Sequence, residues 1–378
     1  MAQYRVRPTR LLLFVSLYLV AACGGVTKNS AMAAAEPKDR YARVKIKGTP
    51  AKNGMFDVSV EYGPDGTGWL AYSQVQIPKF INTHIAKSTD HGATWRHVTQ
   101  VGESRESVLT RNGKRIHGVW RDETACLLYD PTDQPKRRWK LFTNHYFTAK
   151  PFKPKDRQMS HGTIDIKYSA NPAGLWSPPE CVVGHGDDCK ISMRKADRSL
   201  SKIRTNTEPG AVVSDGLIYL SLDAATTDSG LGDWKNYRVI LLSSADHAKT
   251  WDYVGTLLDH NDAKHYGYLV FTGTSLTKVN GELYLLATPS GSTKKKNRGH
   301  DGTMVFKFAD ISKGKLVTNR QGHPKIMMRL LPSVGSGGLA DYDEQNTEGG
   351  VIFSQTRIWW FPQVFRIFQT GKGITEEH

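Results

Sequence analysis

Three acids in this sequence open apolar, alternating stretches at similar places: Asp57 in M-F-D-V-S-V, Asp122 in W-R-D-E-T-A and Glu208 in N-T-E-P-G-A-V-V. Carboxyl groups that meet in space from separate strands can divide acid and base work, because their surroundings hold them in different protonation states. Hydrolysis of a glycosidic bond asks for such a pair on opposite sides of the bond, about 6.5–9.5 Å apart when configuration inverts. The plainer reading of each acid is a turn cap or a partner for a nearby arginine, and Arg121 precedes Asp122. Further candidates stand at strand ends: His84, His117, His145, His161 and His265, with Tyr146, Tyr266 and the polar run Tyr342 to Thr347 that contains Asp343. The histidines, Arg121 and Asp343 would hydrogen-bond sugar hydroxyls, and Trp120, Tyr146 and Tyr266 offer faces on which sugar rings stack. Each histidine taken alone reads equally as a structural hydrogen-bonder. The chain carries no H-E-x-x-H spacing, no phosphate-binding glycine loop and no G-x-S-x-G elbow. No metal site or cofactor is expected, with a central calcium or sodium ion held by oxygen atoms left open.

A repeat could bring acids so distant in sequence together. The string S-T-D-H-G-A-T-W (88–95) fills every defined position of the Asp box, S-x-D-x-G-x-T-W. S-A-D-H-A-K-T-W (244–251) loses only the glycine, and S-A-N-P-A-G-L-W (169–176) is a more distant variant. The pattern suits a turn between strands, in which aspartate accepts from turn N–H groups, glycine takes a positive φ and tryptophan packs into the sheet. Asp90, Gly92 and Trp95 are therefore structural. Outward from these turns, apolar alternation of period two sorts the chain into strand quartets at about 55–101, 120–183 and 207–258. A fourth runs from Y-L-V-F-T-G-T-S-L to a weaker strand near 315–330, and the remainder is one strand short. The segment Y-A-R-V-K-I-K-G (41–48) is expected to supply that strand. The fold class is all-β: a β-propeller of five blades, six if 291–335 hides a strand pair, closed by an N-terminal strand that leaves no long open edge.

On its turn strings the chain resembles the Asp-box (BNR-repeat) sialidase-like propellers. Sialidases also need three arginines on the sialate carboxylate and an early R-I-P motif. The nearest string here is Val75-Gln76-Ile77-Pro78, with glutamine in place of an arginine that would bind a carboxylate bidentately. A true exo-sialidase is accordingly the least favoured activity. The inner-strand acids, together with R-D-E-T-A-C-L-L-Y-D and R-W-K-L-F, resemble the five-bladed arabinanase and β-xylosidase glycoside hydrolases. That resemblance implies Asp57 as general base, Asp122 as modulator of its partner's pKa and Glu208 as general acid.

With 378 residues and many aromatics the chain can bury a large core, which excludes disorder. Arg5, Arg7 and Arg10 precede an apolar run, Leu11 to Ala22, too short for a permanent membrane span, so 1–22 reads as a signal peptide. V-A-A-C-G (20–24) resembles a bacterial lipobox, which would make Cys23 the lipidated first residue of the mature chain. Residues 23–39 then form a flexible tether and 40–378 a single propeller domain. The expected location is the cell envelope, periplasmic or at the cell surface, with the membrane reached through the lipid anchor. Cys181 and Cys189, eight apart, suit a loop-closing disulfide in an oxidising compartment, while Cys126 in T-A-C-L-L-Y reads as a small buried hydrophobe. The formal charge is +15, of which the signal peptide's three arginines leave +12 on the rest. Basic residues gather in loops at 150–157, 190–198 and 294–298, which favours an anionic glycan or envelope surface over nucleic acid, the alternative being plain solvation. The expected function is that of an extracytoplasmic, monomeric glycoside hydrolase acting on a polysaccharide or glycan, acidic in one reading. The alternative is a non-catalytic glycan-binding or scaffold lipoprotein.

Overall fold

A strand whose two faces are both apolar must be covered on both sides. In Gly68–Gln76, Leu70 and Tyr72 pack with Ile352 and Ile367 from the end of the chain, while Trp69 and Ala71 pack with Leu127, Trp139 and Leu141 of the next sheet. The same arrangement recurs until five apolar layers lie between five sheets. Only a closed ring meets that count, and the protein is a five-bladed β-propeller. The computed structural model describes residues 40–51, 54–76, 78–152, 157–185, 188–226, 234–293, 299–333, 335–346, 348–357 and 364–374. The expected signal peptide, Cys23 and tether lie outside the described residues.

Blade one comprises Met55–Tyr62, Gly68–Gln76, Phe80–Ser88 and Trp95–Gly102, from axis to rim. Blade two opens on the long strand Lys114–Tyr129, continues through Trp139–Ala149, Arg157–Ser169 and Glu180–Gly184, and carries the extra hairpin strand Arg105–Arg111. Thr205–Ser214, Leu217–Ala225, Arg238–Ser244 and Asp252–Asp259 make blade three. Blade four is Val270–Val279, Glu282–Ser290 and Thr303–Asp310, edged by Lys315–Leu316 and Ile326–Leu330. The segment 291–335 is thus used within blade four rather than forming a sixth. Blade five has Ser336–Asp343, Gly350–Arg357 and Val364–Gln369, and its fourth strand is Ala42–Arg43 from the N-terminal side. A few residues later Ile46–Lys47 runs parallel to the rim of blade one, so one short segment spans the seam.

The turn strings fall between third and fourth strands of blades one, two and three. Asp90 accepts from the Thr94 N–H (2.9 Å) and hydroxyl (2.6 Å), and Asp246 repeats both bonds with Thr250 at 2.8 and 2.7 Å. Trp95 and Trp251 are buried. Cys181 and Cys189 are joined by a disulfide, and the buried Cys126 thiol accepts from the Ala211 N–H at 3.1 Å.

At one level every inner strand carries a β-bulge, two residues opposing one: 57–58, 124–125, 208–209, 273–274 and 339–340. The first residue of each has positive φ: Asp57 (52°), Thr124 (52°), Glu208 (56°), Gly273 (57°) and Leu339 (53°). Side chains beside the bulges tie each blade to the next. Ser73 Oγ accepts from the Thr124 N–H (3.2 Å), Cys126 from Ala211, Asp223 from Gly273 (3.3 Å), Thr288 from Leu339 (2.7 Å) and Asp341 from Val60 (2.7 Å).

The seam yields a stability test. Ile46 is buried in the layer between blades five and one. Ile46→Ala should cost about 2–4 kcal/mol in equilibrium denaturant unfolding, whereas a change under about 0.5 kcal/mol would mean that the segment does not hold the ring closed.

Candidate active site at the ring axis

The bulges line a small axial cavity of about 20 Å³, bounded among others by Asp57, Thr124, Pro209, Gly273 and Leu339. That is room for about one water molecule. Asp57 is buried, and the Thr124 hydroxyl lies 3.4 Å from its Oδ2. Burial, and then the charges of Glu123 and Glu208, hold the Asp57 carboxyl well above the ordinary carboxylate range. Blades one, two and three therefore do bring three carboxyl groups into electrostatic contact, and the one from blade two is Glu123.

Glu208 accepts from the Gly273 N–H, and the buried Asp223 reaches toward the same donor. Burial, the charge of Glu208 and a hydrogen bond between the two carboxyl groups raise the pKa of Asp223 well above normal. A neighbouring negative charge disfavours ionisation, so the Glu208 carboxyl beside it favours the protonated form of Asp223. The Tyr237 hydroxyl donates to Asp223 Oδ2 at 2.9 Å, which fixes the side chain from behind. Gly273 serves the pair twice. Its φ of 57° suits glycine, and a Cβ there would collide with the Leu339 side chain.

The remaining expected site residues separate. Asp122 lies two residues before the bulge of blade two, where Thr124 takes the place equivalent to Asp57 and Glu208. Its carboxylate bonds His145 Nδ1 at 2.9 Å, away from the axis, because consecutive strand residues face opposite sides. Arg121 does not pair with it; the guanidinium donates to the carbonyls of Pro78 and Lys79 and lies 3.5 Å from the buried Tyr146 hydroxyl. His84 is buried against Gln74, His97 and Tyr72, and burial followed by the nearby His97 lowers its pKa to about 4. His117 is exposed on the hairpin of blade two. His265 stacks on His323, and the Tyr266 hydroxyl donates to the Pro324 carbonyl, between blades three and four. The side chain of His161 lies outside the described residues. Asp343 is buried at the far end of its strand, accepting from Tyr62 (2.6 Å) and the Asn346 N–H (3.1 Å).

Asp223, Tyr237 and Glu123 escaped the sequence reading. Asp223 ends the run L-I-Y-L-S-L-D, where a carboxylate closing an apolar strand was the available signal. Among the described residues, metal-ligand spacing occurs at Asp130, Asp133 and His247. The buried Lys140 ammonium already sits there, 3.0 Å from Asp130 and 2.8 Å from Asp133, so this group is an ionic staple. Of the basic loops, 294–298 lies outside the described residues, and Lys190 is committed to Glu180, Tyr168 and the Ala248 carbonyl.

No protein-family model matches the sequence, and no curated protein does. Solved structures do match in fold. A GH32 β-fructofuranosidase of Bombyx mori superposes with a TM-score of 0.53 at 14% identity, over 87% of this chain and 61% of that one. This chain thus spans about three fifths of that enzyme's length. Zg3597, a family 117 glycoside hydrolase of Zobellia galactanivorans, gives 0.51 at 12% identity over 88% and 91%. An α-L-arabinanase of Penicillium chrysogenum, solved with arabinobiose, gives 0.49 at 11% over 90% and 100%. The propeller is a fold shared with glycoside hydrolases.

One acid of the ring offers a pH test. Burial, then the charge of Glu344, raises Glu61 to about 8. The folded chain therefore keeps a proton that the unfolded chain releases above its ordinary pKa, and stability falls as pH rises from about 4.5 toward 8. Glu61→Gln should flatten this part of the melting-temperature profile and leave the variant more stable than the parent at pH 9, by on the order of 1–3 kcal/mol. An unchanged profile would show that Glu61 ionises normally.

Proposed function

We propose that this protein is a glycoside hydrolase whose axial acids act on a polysaccharide or glycan. The observation that carries the reading is the Glu208–Asp223 pair, two carboxyl groups that reach one backbone N–H beside Asp57 at the axis of a fold common to glycoside hydrolases. In this reading the base is Asp57 in its ionised form, which its raised pKa makes the less populated one, and it takes a proton from water, whose oxygen bonds to the anomeric carbon. The glycosidic C–O bond breaks as the leaving oxygen receives the proton held by Glu208 and Asp223. Asp223 takes the modulating role that the family resemblance gave to Asp122, since like charges at close range cannot both ionise. Residues 1–22 and Cys23 support an exported lipoprotein of the cell envelope, and the Cys181–Cys189 disulfide suits an oxidising compartment. The charge of +15 favours an anionic glycan or envelope surface as partner.

A second reading, glycan binding without turnover, draws on Thr124, a neutral residue at the blade-two place equivalent to Asp57 and Glu208. Incubation with arabinan, xylan and polygalacturonate, with assay of released reducing ends, separates the two. Turnover should fall about 10²–10⁴-fold in Glu208→Gln and in Asp57→Asn, with melting temperatures kept. Asp223→Asn should move the alkaline limb of the pH–rate profile while leaving measurable activity. Saturable binding with no product in the parent protein would replace hydrolysis by binding, and full activity in Glu208→Gln would remove that residue from the reaction.

A further inference from the structure

The strand that carries Glu123 toward the axis turns Asp122 the other way, into a groove between blades one and two. This groove has a volume of about 460 Å³, within the range of roughly 300–1,000 Å³ usual for small-molecule sites. One wall is the rim strand of blade one around Gln100; the other is the face of blade two bearing Trp120, Asp122, His145, Asp165 and Lys167. Trp120 and His145 stack with ring centres 4.7 Å apart and planes within 4°, and Asp122 holds the imidazole at 2.9 Å. Thr163 in turn fixes Asp165 at 2.6 Å, and Lys167 is anchored on the Val101 carbonyl, also at 2.6 Å. None of these contacts is needed by the acids at the axis, and the side chains that make them are held in place before any ligand arrives.

The lining also says what would bind. Burial alone would lower the pKa of His145, but the hydrogen bond and charge of Asp122 and the charge of Asp165 outweigh it, and the pKa is raised. Three acids, Asp122, Asp165 and Glu103, face three basic residues, His145, Lys167 and Arg105, so the lining is of mixed sign and selects no ion. Two carboxylates that accept, an amide and a lysine that donate, and a flat aromatic pair match the vicinal hydroxyls and apolar ring face of a sugar. We propose that this groove is a second carbohydrate site, which holds a neutral mono- or disaccharide unit against Trp120 and His145, apart from the axis. A glycan would then be held at two places on one propeller, and its retention would not require turnover.

The test titrates arabinobiose, xylobiose, cellobiose and sucrose into the full propeller, read by tryptophan fluorescence and ligand-observed NMR. Four proteins are compared: the parent, the axial variant Asp57→Asn/Glu208→Gln, Trp120→Ala, and the near-isosteric Asp165→Asn, with melting temperatures as folding control. At least one disaccharide should bind the parent and the axial variant alike, and bind Trp120→Ala and Asp165→Asn on the order of tenfold more weakly. Binding lost in the axial variant but kept in both groove variants would overturn the second site while leaving the axial reading intact. No binding of any of the four sugars at millimolar concentration would overturn it as well. Conversely, groove-dependent binding in a protein without hydrolytic activity would keep the second site and remove the axial reaction.

Discussion

Everything in this molecule hangs on a backbone conformation repeated at one level of the ring. Each inner strand places the first residue of its bulge in the left-handed region, and in four of the five that residue is not glycine. Such residues cost of order 1–3 kcal/mol each and persist only where their surroundings over-determine them. Here the surroundings are the neighbouring blades: a side chain from one blade meets a backbone N–H of the next at all five junctions. The strain, the closure of the ring and the aim of the axial side chains are therefore one arrangement. The apolar layers hold the blades together without direction, and these polar contacts set their angular order.

Against that near-symmetry, chemistry enters where a position departs from its equivalents. The second-strand residues paired just before the bulge are Ser73, Asn144, Asp223, Thr288 and Ser354. All five are buried, and only Asp223 can ionise. Like Ser73 and Thr288 it reaches for a backbone N–H of the next blade, that of Gly273, yet it does so beside a second carboxyl group, Glu208, whose charge helps to raise its pKa. Blade four supplies the one glycine among the bulge residues at the same place, so the crowded pair meets backbone rather than a side chain. Blades three and four hold the carboxyl pair, blade one contributes Asp57, and the axial face of blade five offers Leu339.

Much of the architecture was legible because it rests on local pattern. Period-two alternation located the strands, the turn strings located three outer turns, and 41–48 was recognisable as the source of the missing strand, although only Ala42–Arg43 pairs with blade five and Ile46–Lys47 goes to blade one. The site was legible only in part. Asp57 and Glu208 stand at strand starts in the sequence, but the matching residue of blade two depends on where the bulge falls. A shift of two residues gives that place to Thr124 and turns Asp122 toward His145. Bulge register is decided by packing between blades, which no single strand's sequence displays. The histidines illustrate the same limit: His84 is locked between strands and His265 stacks on His323, although both look equally available when read along the chain.

The closing segment carries a mechanical meaning. Ala42–Arg43 completes blade five, and Ile46–Lys47 lies along blade one, so among the described residues the first two strands straddle the seam between the last blade and the first. A load applied through the N-terminal side would reach the ring at these few hydrogen bonds. The segment through which a pull on the N-terminal side would arrive is thus also the one that latches the ring.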